Sequence, residues 1–113
     1  MLAKENRLTK KKDFSLIFKK GLGVKEGFLF IKTVINKSKD SRFAFVVSQK
    51  VSKSAVIRNK IRRILKELIR GHLERTKTGI DGVLIVYPGI DHRKREDIAD
   101  KLEKLFKKAK LFK

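Results

Sequence analysis

Residues 42–87 read RFAFVVSQKVSKSAVIRNKIRRILKELIRGHLERTKTGIDGVLIVY: an apolar run, a cationic amphipathic stretch and a second apolar run. Arg42–Ser48 (RFAFVVS) is rich in aromatic and β-branched residues and reads as a strand. Val83–Tyr87 (VLIVY) is short and continuously apolar, the composition of a strand buried on both faces. Between them, Ser54–Arg70 has the period of a helix. Stepping ~100° per residue from Arg58, the polar side chains of Arg58, Asn59, Arg62, Arg63, Lys66 and Arg70 fall between about 0° and 140°. Ile57, Ile61, Ile64, Leu65 and Leu68 fall between about 240° and 340° on the same wheel, and only Glu67 interrupts the positive charge. A strand, a crossover helix and a returning strand imply parallel pairing within a sheet covered by helices.

The flanking segments complete the order. Asp13–Lys20 reads as a short helix with Phe14, Ile17 and Phe18 on one face, ended by Gly21 and Gly23. Phe28–Ile35 (FLFIKTVI) reads as a strand, and the turn Asn36–Asp40 predicts a hairpin between it and Arg42–Ser48. The cationic helix runs on to about Arg75 with Gly71 as a weak point, and residues 76–82 make a turn. Pro88-Gly89 stops the third strand. A last helix over 93–110 carries Ile98, Leu102, Leu105, Phe106 and Ala109 on one stripe. The expected fold is a two-layer α/β (α+β) sandwich, order α-β-β-α-β-α, with a mixed sheet. It forms one domain over residues 1–113, of which 1–8 are expected to be mobile until bound.

The chain has 31 Lys and Arg against 12 Asp and Glu, a net charge of +19. A compact body tolerates such a charge when a polyanion neutralises it, which makes nucleic acid the leading partner class. An anionic membrane fits less well, because the apolar side of the basic helix is needed for the core. No apolar run is long enough to span a bilayer and the N-terminus has no secretory pattern, so cytoplasmic residence is expected. Cysteine is absent. His72 and His92 lie far apart without metal-ligand spacing and read as surface residues, and Asp81, Asp91, Asp97 and Asp100 read as turn and cap residues, although Mg²⁺ ligation by them stays open. No catalytic motif is present, so neither catalytic nor metal-binding residues are assigned. Asn occurs only at 6, 36 and 59 and Gln only at 49, while Lys and Glu abound. That bias points to a heat-adapted source and predicts a high melting temperature; cooperative unfolding in the mesophile range of about 45–65 °C would contradict it.

Two constellations carry chemistry. Arg58-Asn59-Lys60-x-Arg62-Arg63 presents guanidinium forks suited to phosphate, with an amide that can bridge phosphate or a 2′-hydroxyl. Ahead of it, residues 48–54 (SQKVSKS) place hydroxyls and lysines before a helix N-terminus. The second constellation is aromatic: Phe14 and Phe18 on the first helix, Phe28 and Phe30 on the first strand, Phe43 and Phe45 on the second, with cations between. Such platforms hold single-stranded RNA by stacking, although some of these six must be core. A non-catalytic RNA-binding protein of ribosomal or assembly-factor type would share these features.

These residues, in order, resemble the bacterial ribonuclease P protein family. The resemblance rests on Arg58-Asn59-Lys60-x-Arg62-Arg63 preceded by RFAFVVSQKVSKSAV, on Arg7-Leu8, on Asp13-Phe14-x-x-x-Phe18-x-x-Gly21, on Asp81-Gly-Val-Leu-Ile-Val and on Leu105-Phe106. It implies a small basic subunit of a ribonucleoprotein endonuclease that removes the 5′ leader from precursor tRNA. Its partners are the ribonuclease P RNA, which carries out the Mg²⁺-dependent hydrolysis, and the precursor tRNA. It implies no membrane and no small-molecule substrate, and the free protein is expected to be a monomer. The resemblance assigns Lys50, Lys53, Arg58, Asn59, Lys60, Arg62 and Arg63 to the catalytic RNA, with Lys66 on the same face. It assigns the leader to a cleft lined by Phe14, Phe18 and a strand residue (Phe28, Phe30 or Ile31), with Arg7. It further implies a left-handed βαβ crossover. Lys60 stands where the family usually has Arg, keeping the charge without the bidentate fork.

Overall fold

The computed structural model describes residues 2–113; Met1 and the side chain of His92 lie outside the described residues, and the surface position expected for His92 with them. Three helices, α1 (Lys11–Lys20), α2 (Ala55–His72) and α3 (Arg95–Lys108), accompany four strands, β1 (Leu22–Glu26), β2 (Leu29–Ile35), β3 (Arg42–Val46) and β4 (Ile80–Val86). The strands lie in the order β1-β2-β4-β3. β4 runs antiparallel to β2 and parallel to β3, so the parallel pair around α2 forms as the composition predicts.

Two expectations change. The hairpin does not join Phe28–Ile35 to Arg42–Ser48, because β4 inserts between them. The hairpin instead joins β1 to β2. Its turn is built on Gly27, whose φ of 57° suits a two-residue primed turn. β1 is the added strand: it begins directly after Gly21, which caps α1, and holds Gly23 within it, and only Val24 of its side chains packs on the main core.

α2 and α3 cover one face of the sheet. There Ile61, Leu65 and Ile69 meet Ile98, Leu102, Leu105 and Phe106 over Leu29, Ile31, Phe43 and Leu84. Phe106 stacks on Phe43, centroids 6.0 Å apart. The buried line of α2 is therefore Ile61-Leu65-Ile69, the i, i+4 ridge. Ile69 falls at about 20° on the wheel, among the charges, yet is fully buried. The Ser54 hydroxyl caps the helix by accepting from the Ile57 amide at 3.3 Å. The helix passes through Gly71 to His72 and tightens into a 3₁₀ turn over Leu73–Arg75.

α1 lies on the opposite face, with Ile17 and Phe14 packed over Ala44 and Val83. Residues 2–8, expected to be mobile, are held on the outer edge of β3. Leu2 and Leu8 are buried, the Leu8 amide donates to the Phe43 carbonyl at 3.0 Å, and Asn6 donates to the Ser41 carbonyl at 2.8 Å.

His72 is not a free surface histidine. Its ring packs against Phe106 and Phe112, and its Nδ1 lies 2.9 Å from an Arg75 guanidinium nitrogen, so Nδ1 is the acceptor. Burial lowers its pKa below the ordinary histidine value and Arg75 adds to that, against Glu103. The unfolded chain takes up this proton near pH ~6.5, whereas the folded chain resists it. Stability is thus full above that value and lost as pH falls below it. The free energy of unfolding, measured by denaturant titration, is expected to drop between about pH 7.5 and 5.5, and His72→Phe to flatten that drop.

Candidate nucleic-acid interface

The register of the sheet aligns one side chain from each strand on the α1 face. Lys25 pairs with Phe30, Phe30 with Ile85, and Ile85 with Val46, giving a row Lys25-Phe30-Ile85-Val46 across all four strands. The neighbouring row, Gly23-Lys32-Val83-Ala44, has Val83 and Ala44 buried against α1. The first row is left beside the helix, with Phe30 and Ile85 half-buried and Val46 exposed.

Phe18 of α1 is 45% exposed, while Ile17 and Phe14 take the packing. The Lys32 ammonium donates to the Phe18 carbonyl at 3.0 Å and fixes the end of α1 to β2. Tyr87 extends this trough-like row beyond β4: its ring meets Phe30 edge-on at 6.5 Å and carries the Lys25 ammonium 4.8 Å above it. Gly23 makes room for this arrangement, since a Cβ there would lie 2.6 Å from the Phe30 ring. The result is an open apolar and aromatic surface edged by lysines, suited to stacked bases and a phosphate backbone.

The strand aromatics separate accordingly. Phe30 faces the trough. Phe28 does not: it sits in the β1–β2 turn, 8% exposed, within the core beneath α2 and α3, so its assignment to a leader is corrected. Ile31 lies in the same core. Phe43 is core, and Phe45 packs against that core from the edge. Arg7 is exposed on the outer edge of β3, bridged to Phe43, away from the Phe30 row. Val46, Ile85, Tyr87, Lys25 and Lys32 were missed in the sequence, because a single strand's pattern does not reveal which residues of other strands lie alongside.

α1 is positioned by an ionic network. Arg42 donates to both oxygens of Asp81, at 2.9 and 2.6 Å, and lies 3.5 Å from Asp13 on α1. Asn36 also donates to Asp81, at 2.7 Å. The buried Asp81 is thus committed to Arg42 and Asn36. Among the described residues no three His, Cys, Asp or Glu side chains converge as metal ligands. Arg42→Ala would strand a buried carboxylate. It is expected to cost about 2–3 kcal/mol by denaturant titration, less than a fully buried pair because Arg42 is partly exposed.

The cations of α2 split into two sets. Arg58 donates to the Ser52 carbonyl at 2.9 Å and Arg62 to the Val47 carbonyl at 3.2 Å, so both brace the loop 47–54. Arg62 also donates to the Asn59 amide oxygen at 2.8 Å, which orients that side chain. Lys60 and Arg63 are exposed, as are Lys50 and Lys53 on the loop, and none of these four has an ion-pair partner among the described residues. Lys66 is half-buried on the side towards the N-terminal segment. Acidic residues pair elsewhere: Glu67 with Arg95, Glu103 with Arg75, Glu26 with Lys101 and Lys108.

A mixed sheet with a cationic helix behind one face and an aromatic trough on the other defines a small, polyanion-binding α+β protein. Its relatives make the family plain. The ribonuclease P family model matches residues 2–110. A ribonuclease P protein component from Clostridium botulinum is 36% identical over 110 residues, covering 96% of this chain and 98% of its own length. One from a Pseudanabaena species is 32% identical over 112 residues, covering 98% and 97%. The solved ribonuclease P protein of Staphylococcus aureus superposes with a TM-score of 0.88 at 31% identity, covering 96% of this chain and 98% of that one. The chain belongs to the ribonuclease P protein family, whose partner is RNA.

Proposed function

We propose that this chain joins the catalytic RNA of ribonuclease P and helps it remove the 5′ leader of precursor tRNA. In this reading Lys50, Lys53, Lys60 and Arg63 neutralise phosphates of the catalytic RNA, with Arg58, Arg62 and Asn59 shaping that surface. The single-stranded leader lies along the trough, stacking on Phe18 and Phe30 with Lys25 and Lys32 beside its backbone. The observation that carries it is the pairing of two separate RNA-suited surfaces through one strand: Val46 of β3 ends the trough, and the loop that follows it leads to α2. Mg²⁺ would be held by RNA phosphates, which the protein gathers by lowering their repulsion. The free protein works in the cytoplasm and stays monomeric through its own charge repulsion.

Reconstitution tests the reading. With a bacterial ribonuclease P RNA at low Mg²⁺, the protein is expected to restore cleavage of precursor tRNA and to favour precursors that carry a leader. No stimulation with any such RNA would reject it.

A further inference from the structure

We infer that a recess at the outer edge of β3 takes one unpaired nucleotide of the catalytic RNA, its base against an apolar floor and its phosphate on Arg7, Arg62 and Lys66. The inference rests on the reading that α2 meets that RNA. The recess has a volume of about 270 Å³ and lies between the N-terminal segment, β3 and α2. Leu2, Phe43 and Phe45 form its floor and Thr9 its lip, and no Asp or Glu lines it.

Three features specify the ligand. The apolar floor suits a flat, weakly hydrated group. The three cations require an anion attached to it. The third is the strand edge itself: the N-terminal segment bonds to the Phe43 carbonyl through Leu8 and then leaves for α1. Because backbone bonding alternates in direction along a strand, Phe45 turns its amide and carbonyl to the same outer edge, available to the polar rim of a base. A flat ring with hydrogen-bonding edges and an attached phosphate is a nucleotide. The catalytic RNA is the source rather than the leader, because two of the cations stand on α2. Phe45 also points to the face of β3 opposite Val46 and the trough.

Thr9→Trp fills the recess from an exposed position, without removing a core side chain or a charge. Measured against a bacterial ribonuclease P RNA, this variant should bind about tenfold more weakly, with the salt slope lowered by about one as the nucleotide's phosphate leaves the cations, and with undiminished preference for leader-bearing precursor. Lys66→Ala should weaken binding and reduce the slope by about one. A benzophenone side chain in place of Phe45 should cross-link to a single unpaired nucleotide of the catalytic RNA. Wild-type affinity in the Thr9→Trp variant would overturn the inference. So would loss of leader preference, or cross-links to the leader, to a peptide or to a second copy of the protein. If the unaltered protein itself fails to bind the RNA, the functional reading falls and this inference with it.

Discussion

Phe18→Ala is expected to weaken binding of leader-bearing precursor tRNA by ~1–3 kcal/mol and to leave mature tRNA unaffected, in the complex with the catalytic RNA. The argument is one of exposure. α1 already fills its contact with the sheet through Ile17 and Phe14, so the Phe18 ring is free to offer a face to a base. Removing it takes little from the core, and the melting temperature should change little. Equal losses for precursor and mature tRNA, or a large fall in melting temperature, would mean that the ring is structural. Equilibrium binding of the two RNAs side by side decides the matter.

Lys60→Ala combined with Arg63→Ala should reduce the slope of log K against log salt for catalytic-RNA binding by about two, with the melting temperature unchanged. Both side chains are exposed and unpaired among the described residues, so they contribute charge and little else to the fold. Arg62→Ala should behave differently. It removes about one unit of slope and also releases the Val47 carbonyl and the Asn59 amide, so the loop before α2 loosens and stability drops by about 1–2 kcal/mol. Salt titrations and thermal melts on the same samples separate charge from bracing.

The helices were legible because a 3.6-residue period survives in any context that buries one side of them. β4 was legible as a central strand, since Val83, Leu84 and Val86 leave neither face for water. Its neighbours were not. Phe28–Ile35 and Arg42–Ser48 lie close in sequence and both read as strands, which suggests a hairpin; local pattern holds no record of a third strand arriving between them. β1 escaped because Leu22 and Gly23 are exposed and the segment is stabilised by pairing with β2 rather than by an apolar face. Ile69 was hidden by the wheel itself, since the buried ridge leans into the charged side. The cationic half of the site could be read from one helix. The trough could not, because its members come one per strand and become neighbours only through register.

The central place of β4 also governs when the molecule comes into being. β4 is the last strand to be synthesised, yet β2 and β3 reach each other only through it. A nascent chain that has emerged only as far as α2 already displays the cationic side of that helix, with β2 and β3 not yet joined beneath it. Phe30 and Val46 are then still strangers. Arrival of residues 80–86 closes the sheet and brings Phe30, Ile85 and Val46 into one row, so the chain carries its charge before the trough exists.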